Sequence, residues 1–243
     1  MRHVFETMGT VASIELPKTY ASVLPSMEAV FLSVDELFSL YRPGSELSRI
    51  ADGRLDLPHA SPTLRASYER SIEWRILTSG LFSAHRPDGV LDLNGIVKAE
   101  AIESAGALLD NAGCPAWTIN VGGDILVRGE HASWTTGIAD PNRDDALLCS
   151  IALGGERRAL ATSGSAQRGD HIWRGSELAR THFAQVSVIA ADIVTADVLA
   201  TAIVAGGPES LDDITERWPV DVLAVDRDNN LVATPGFRVA LAA

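Results

Sequence analysis

The chain has 243 residues, of which 46% are hydrophobic and 21% charged, which is typical of a folded globular protein and excludes intrinsic disorder. The formal net charge of −12 disfavours nucleic-acid binding, and the densest basic cluster, Arg157-Arg158, is too small to offset it. No stretch approaches the roughly 18 apolar residues of a membrane span. Cys114 and Cys149 are isolated in the sequence, which favours a reducing, cytoplasmic compartment over a disulfide framework.

The first half of the chain is predicted to contain one strand followed by helices. Residues 10–16 alternate between apolar and polar side chains, which is typical of a strand. Apolar residues at helical spacing predict three helices, over residues 20–40, 64–79 and 94–112. Gly113 is expected to end the third helix.

The second half is predicted to be rich in strands. The candidates are short β-branched or alternating runs over residues 116–121, 125–129, 134–139, 147–153, 158–163, 186–190, 220–225 and 230–233. A helix of small residues is predicted over residues 195–205, ended by Gly206-Gly207. Because the strands come in groups with helices between them, the pattern favours one α+β domain over a doubly wound sheet.

The helix over residues 195–205 carries the first candidate site. Asp197 and Thr201 are four residues apart, so on a helix they share one face, where a carboxylate and a hydroxyl can present oxygens to Mg²⁺. A structural alternative is that Thr195 is the N-cap and Asp197 a first-turn acid favoured by the helix dipole.

Two further segments are candidates for phosphate contacts. A predicted strand end runs through Asp92 into a helix, where Gly95 allows close approach to its backbone and Lys98 could reach a phosphate. The alternative is an ordinary helix entry with a solvated lysine. The Gly122-Gly123 pair is either a phosphate-contacting turn or a tight hairpin turn. His171 is a candidate for proton transfer, although a histidine in a loop is more often a surface residue.

The order of these signals resembles the ApbE family, the FAD:protein FMN transferases. Eight blocks match the family's motifs in chain order: Met8-Gly9-Thr10, Tyr41 to Arg49, Ser79-Gly80-Leu81-Phe82, Asp92 to Lys98, Asn120 to Asp124, Gly137 to Pro141, Ala161 to Gly164, and Ala196 to Ala202. The resemblance extends from near residue 8 to about residue 237 and implies one ApbE-like (T-fold-like) domain, residues 1–243, of mixed antiparallel sheets with packed helices.

The resemblance also implies an activity and a set of site residues. The family transfers FMN from FAD to a threonine hydroxyl of a target flavoprotein, with Mg²⁺ bound, and releases AMP. The implied magnesium ligands are Asp197, Thr201 and the Gly95 backbone oxygen. The implied FAD contacts are Met8, Tyr41, Leu81, Phe82, Asp92, Lys98 and Ile172, and the implied general base is His171. Mg²⁺ would also let an acidic chain hold a pyrophosphate.

The sequence departs from the family's motifs at several positions. The family's His-Ile-Ile-Asp-Pro is His171-Ile172-Trp173-Arg174-Gly175 here, Ser83 replaces an aspartate, and Ala99 replaces a glycine. Two alternatives therefore stand beside the transferase: an FAD-binding protein of the same fold with impaired catalysis, and a Mg²⁺-dependent hydrolase that converts FAD to FMN and AMP. The family's usual lipoprotein signal is not found in the sequence, so we expect an acceptor that is cytoplasmic or lies on the cytoplasmic side of a membrane protein.

Overall fold

The secondary structure consists of ten strands and seven α-helices in the computed structural model, which describes residues 1–129, 134–164 and 181–242. The strands are β1 (Arg2–Thr7), β2 (Thr10–Glu15), β3 (Trp117–Val121), β4 (Asp124–Arg128), β5 (Trp134–Asp140), β6 (Arg143–Leu153), β7 (Ala159–Gly164), β8 (Phe183–Ala190), β9 (Asp221–Asp226) and β10 (Leu231–Ala233). The helices are α1 (Leu24–Phe38), α2 (Glu46–Ala51), α3 (Pro62–Leu77), α4 (Asn94–Asn111), α5 (Ile193–Gly206), α6 (Pro208–Arg217) and α7 (Pro235–Val239).

Eight of these strands form one antiparallel sheet in the order β1-β2-β3-β4-β7-β8-β9-β10, and β5 and β6 form a separate two-stranded sheet. Helices α1, α4 and α5 pack on one face of the large sheet, with α4 against β3 and β4 and α5 against β7 and β8. The β5–β6 pair and α7 cover the opposite face of β4, β7, β8 and β9. The predicted α+β class is therefore confirmed.

Burial on both faces explains the apolar character of the central strands. On the helix side of β3, Trp117, Ile119 and Val121 are buried, while the residues between them are only partly buried. In β8, which is covered on both sides, nearly every residue is buried. The sequences of the central strands are therefore continuous apolar runs, whereas those of the outer strands alternate between apolar and polar residues.

Several elements differ from the sequence prediction. The first helix starts at Leu24, because residues Lys18–Val23 form a 3₁₀ turn, and it ends at Phe38 because Ser39 is extended. Strand β1 was not predicted, since it is an edge strand with alternate residues exposed and only weak apolar character. The short helices α2, α6 and α7 were also missed, because six to ten residues carry little periodic signal.

The two cysteines are free thiols, Cys114 buried and Cys149 half-buried. Burial raises the pKa of both thiols, so neither has the thiolate character of a nucleophile. Within the described ranges, the helices are too short or too polar to cross a membrane.

Candidate functional site

Helix α5 buries a carboxylate among apolar residues. Asp192 is the N-cap and accepts a hydrogen bond from the Thr195 backbone N–H at 2.8 Å, so the interpretation of Thr195 as N-cap is wrong. Asp197 consequently lies in the second turn, where the helix dipole gives little stabilisation, and it is only 5% exposed. Thr201 follows one turn later on the same face. The structural alternative for Asp197, an acid in the first turn favoured by the helix dipole, is thereby excluded.

Strand β7 meets this face of α5 through a pair of hydroxyl groups. Ser163 Oγ lies 3.0 Å from Thr201 Oγ1, and both residues are half-buried. The preceding residue, Thr162, points its hydroxyl to β8 instead, 2.8 Å from Ser187 Oγ. Sequence reasoning included Ser163 in a motif but gave it no role, because its partner is visible only in the packed structure.

A buried ion pair connects α4 to β4, and a hydrogen bond extends the connection to β7. Lys98 Nζ pairs with Asp124 Oδ2, and Asp124 is 1% exposed. The other oxygen, Asp124 Oδ1, accepts a hydrogen bond from the Thr162 backbone N–H at 3.2 Å. Lys98 is therefore not the solvated lysine of the structural alternative. The sequence placed Asp124 in a family motif, directly after the Gly122-Gly123 turn, but did not predict its pairing with Lys98.

The residues predicted around the start of α4 lie together. Asp92 Oδ1 accepts a hydrogen bond from the Asn94 backbone N–H at 3.0 Å and so organises the helix entry. The Phe82 ring lies against Gly95, so close that a Cβ at residue 95 would be 3.2 Å from it. Leu81 reaches α5, where a Cβ at Gly206 would lie 3.0 Å from its Cδ1. Leu81 and Phe82 thus link the C-terminal end of α5 to the start of α4, and the two helices also contact each other directly.

Two hairpin turns adjoin at this end of the sheet. Gly122 and Gly123 form the β3–β4 turn with φ of 60° and 97°, a conformation that favours glycine, so the hairpin interpretation is correct. Thr10 packs against Gly122, with its Oγ1 2.8 Å from where a Cβ would lie. Met8 lies in the β1–β2 turn, two residues before this contact.

Tyr41 lies apart from these residues. Its ring is 93% exposed on the loop between α1 and α2. The hydroxyls of Ser45 and Ser48 both donate to the Ser39 carbonyl, at 2.6 and 3.0 Å, and Arg54 donates to the Pro43 carbonyl at 2.7 Å. The Ser-Glu-Leu-Ser motif therefore anchors the loop that presents Tyr41.

The remaining predicted residues, His171 and Ile172, lie outside the described residues. The described chain stops at Gly164, the residue after Ser163, and resumes at Thr181, just before β8. The catalytic role assigned to His171 stays a prediction.

The oxygen donors of the site suit a hard cation. Asp197 offers a carboxylate, Thr201 a hydroxyl and Gly95 a backbone carbonyl, the ligand types that Mg²⁺ prefers when phosphate and water complete its coordination. In the part of the chain that the structure describes, no cluster of three or more histidine, cysteine or acidic residues is placed to hold a metal. The three predicted donors are all oxygens, the ligand type that suits Mg²⁺ better than the softer metals that thiolate and imidazole bind.

Comparison with known proteins agrees with this architecture. Residues 82–224, more than half of the chain, match the ApbE family. A Rhodobacter capsulatus protein named FAD:protein FMN transferase is 30% identical over 181 residues, which cover 69% of this chain and 34% of that protein. The chain thus spans about a third of the length of this relative.

Solved structures share the fold across the whole chain. Flavin transferase ApbE from Vibrio cholerae superposes with a TM-score of 0.79 at 19% identity, covering 99% of both chains. The ApbE protein from Thermotoga maritima superposes with a TM-score of 0.82 at 18% identity, covering 100% of this chain and 99% of the other. Because the family match includes both α4 and α5 and the fold agrees over the full length, the chain belongs to the ApbE family.

Proposed function

We propose that this protein transfers FMN from FAD to a threonine hydroxyl of a target flavoprotein, with Mg²⁺ bound, and releases AMP. The observation that carries the proposal is the Asp197–Thr201 face of α5, with Asp197 buried and Thr201 half-buried beside β7. Asp124 and Lys98 connect β7 to the start of α4. The Rhodobacter relative named FAD:protein FMN transferase supports the reaction class.

Asp197, Thr201 and the Gly95 carbonyl would hold the ion. When bound, Mg²⁺ screens the pyrophosphate charge and makes AMP a better leaving group. Lys98 would offer a phosphate less positive charge than an unpaired lysine, because it is paired with Asp124. A bound Mg²⁺ would add positive charge at the site, which suits a chain with a net charge of −12.

The predicted FAD contacts divide into exposed and supporting groups. Tyr41 presents an exposed ring that can stack on an aromatic face of FAD. Phe82 is buried against Gly95, so its ring holds the α4 entry in place, and Asp92 fixes the same entry by hydrogen bonding. Met8 and Leu81 are half-buried and border the two turns and the end of α5.

The proposed transfer step is a substitution at the FMN phosphorus. The acceptor threonine oxygen forms a bond to the FMN phosphorus, and the anhydride bond between this phosphorus and AMP breaks. His171 takes the hydroxyl proton, and AMP leaves with the electron pair of the broken bond. Since both cysteines are free thiols, we place the enzyme and its acceptor in the cytoplasm.

The experiment is incubation with FAD, Mg²⁺ and a panel of threonine-bearing flavin acceptor proteins, read by intact-protein mass spectrometry. We expect an FMN adduct with the wild type and a rate about 10²–10⁴-fold lower with His171→Ala, because a general base contributes that much. FAD binding should persist in this variant.

His182→Ala is the matched control, since His182 is exposed and stacks edge-on against Phe183 at 4.9 Å. It should transfer FMN at the wild-type rate. Release of FMN and AMP without an adduct would indicate the hydrolase instead. Tight FAD binding with neither product would indicate the binding protein.

A further inference from the structure

The Ser163–Thr201 contact joins two hydroxyl groups, and one of them, that of Thr201, is also a predicted ligand of Mg²⁺. The two oxygens are 3.0 Å apart, and either group could donate the hydrogen bond. Thr201 is a proposed ligand of Mg²⁺, whereas Ser163 belongs to the neighbouring strand and is assigned no role by the proposed function.

The backbone holds Ser163 firmly in this position. Ser163 pairs with Val186 of β8, and the next residue, Gly164, lies so close to the Ala184 carbonyl and the Gln185 Cα that a side chain there would collide with them. On the other side, α5 carries small buried residues, including Ala196 and Ala200, which allow a close approach of helix and sheet. The distance between the two hydroxyls is therefore set by the packing of two elements.

The chemistry of a hydroxyl ligand decides the direction of the hydrogen bond. A hydroxyl oxygen that faces a cation must turn its hydrogen away, and it needs an acceptor for that hydrogen. Ser163 Oγ is at hydrogen-bonding distance to serve as this acceptor. We infer that Ser163 is a positioning residue for the metal site, which accepts the Thr201 proton and so directs the Thr201 lone pairs toward Mg²⁺.

This inference rests on the proposed metal site, and a purely structural role for Ser163 can be separated from it. The Thr162–Ser187 pair offers a matched comparison, because it joins the same strand to β8 with a bond of 2.8 Å and Ser187 is fully buried. Loss of the Ser187 hydroxyl removes an equivalent bond without touching Thr201. An effect specific to the metal should therefore appear at Ser163 and not at Ser187.

The test measures FAD binding by flavin fluorescence across a Mg²⁺ titration. We expect Ser163→Ala to raise the half-saturating Mg²⁺ concentration by about 10- to 100-fold, as losses of outer-shell partners do elsewhere. Ser163→Thr should restore the wild-type value, and Ser187→Ala should keep it. In a Thr201→Val background, Ser163→Ala should cause no further change, because the hydroxyl to be oriented is gone.

Melting temperatures of the ligand-free variants complete the test. We expect Ser163→Ala to lower this temperature no more than Ser187→Ala does, because Ser187 is fully buried and Ser163 is half-buried. An unchanged Mg²⁺ requirement in Ser163→Ala, or an equal shift in Ser187→Ala, would overturn the inference. Wild-type FAD binding that does not depend on Mg²⁺ would overturn both the inference and the proposed metal site. A Mg²⁺ shift without FMN transfer would support the inference and contradict only the transferase reaction.

Discussion

Two polar clusters are attached to helix α4, and they are built differently. The inner one joins Lys98 to Asp124, and through it to the Thr162 backbone on the sheet. The outer one faces α3, where Ser67 donates to Glu100 at 2.6 Å and Arg70 pairs with Glu103 at 2.9 Å. Both clusters cross-link neighbouring elements, and the inner one connects through Thr162 to the strand whose Ser163 contacts Thr201.

The difference lies in burial and in the kind of partner. Asp124 is 1% exposed and bonds to a backbone N–H, whereas Arg70 and Glu103 remain in contact with solvent. In the outer cluster, burial raises the pKa of Glu100, and the hydrogen bond from Ser67 opposes that rise. A buried charge pair gives weak net stabilisation because desolvation offsets attraction, so its presence beside oxygen donors points to function. The outer cluster is a partly exposed contact between two helices.

The largest effect on stability is expected from breaking the inner cluster. Asp124→Asn removes the carboxylate charge that faces the Lys98 ammonium, and removal of one partner from a buried pair costs about 3–5 kcal/mol. We expect a value near the lower end, because the Lys98 side chain is 15% exposed and can relax. Urea unfolding of Lys98→Met, Asp124→Asn and the double variant measures this loss of unfolding free energy. Strict additivity in the double variant would show that the two charges are not coupled.

A moderate effect is expected from the exposed part of the site. Aromatic stacking is worth roughly 1–3 kcal/mol per base on other proteins. Tyr41→Ala should therefore weaken FAD binding by about 5- to 150-fold, at 1.4 kcal/mol per decade, and should leave stability nearly unchanged because the ring is exposed. Tyr41→Phe is the control and should bind as the wild type does. Fluorescence titration with equal affinities for Tyr41→Ala and wild type would remove Tyr41 from the site.

The smallest effect is expected from the outer cluster. Glu103→Gln removes one charge of a partly exposed pair, and such pairs contribute about 0–1 kcal/mol. The variant should unfold within about 1 kcal/mol of the wild type in urea and bind FAD with unchanged Mg²⁺ dependence. A loss as large as that of Asp124→Asn would erase the contrast between the two clusters.

Local sequence signals predicted the elements of the site but not all of its contacts. Helix α5 and the four-residue spacing of Asp197 and Thr201 follow from periodicity, and so does α4 with Gly95 and Lys98. The N-cap was misplaced because Thr195 and Asp192 are both good capping residues, and only the backbone geometry distinguishes them.

Tertiary packing supplied what the sequence could not. The partners of Lys98 and Thr201 are Asp124 and Ser163, which lie on strands far away in the chain. Their approach depends on the order of β4 and β7 in the sheet, and no local pattern encodes that order. The exposure of Tyr41 depends likewise on how the loop before α2 is anchored.

The most direct test of the metal site is FAD binding by wild type and Asp197→Asn, each measured with Mg²⁺ and with EDTA. Asparagine preserves the volume of the side chain and removes its charge. We expect the wild type to bind FAD tightly only with Mg²⁺. The half-saturating Mg²⁺ concentration should be at least about 100-fold higher in Asp197→Asn, because loss of a direct ligand should cost more than loss of a residue that only orients a ligand. Wild-type Mg²⁺ dependence in Asp197→Asn, or FAD binding that EDTA does not weaken, would contradict the assignment of this site.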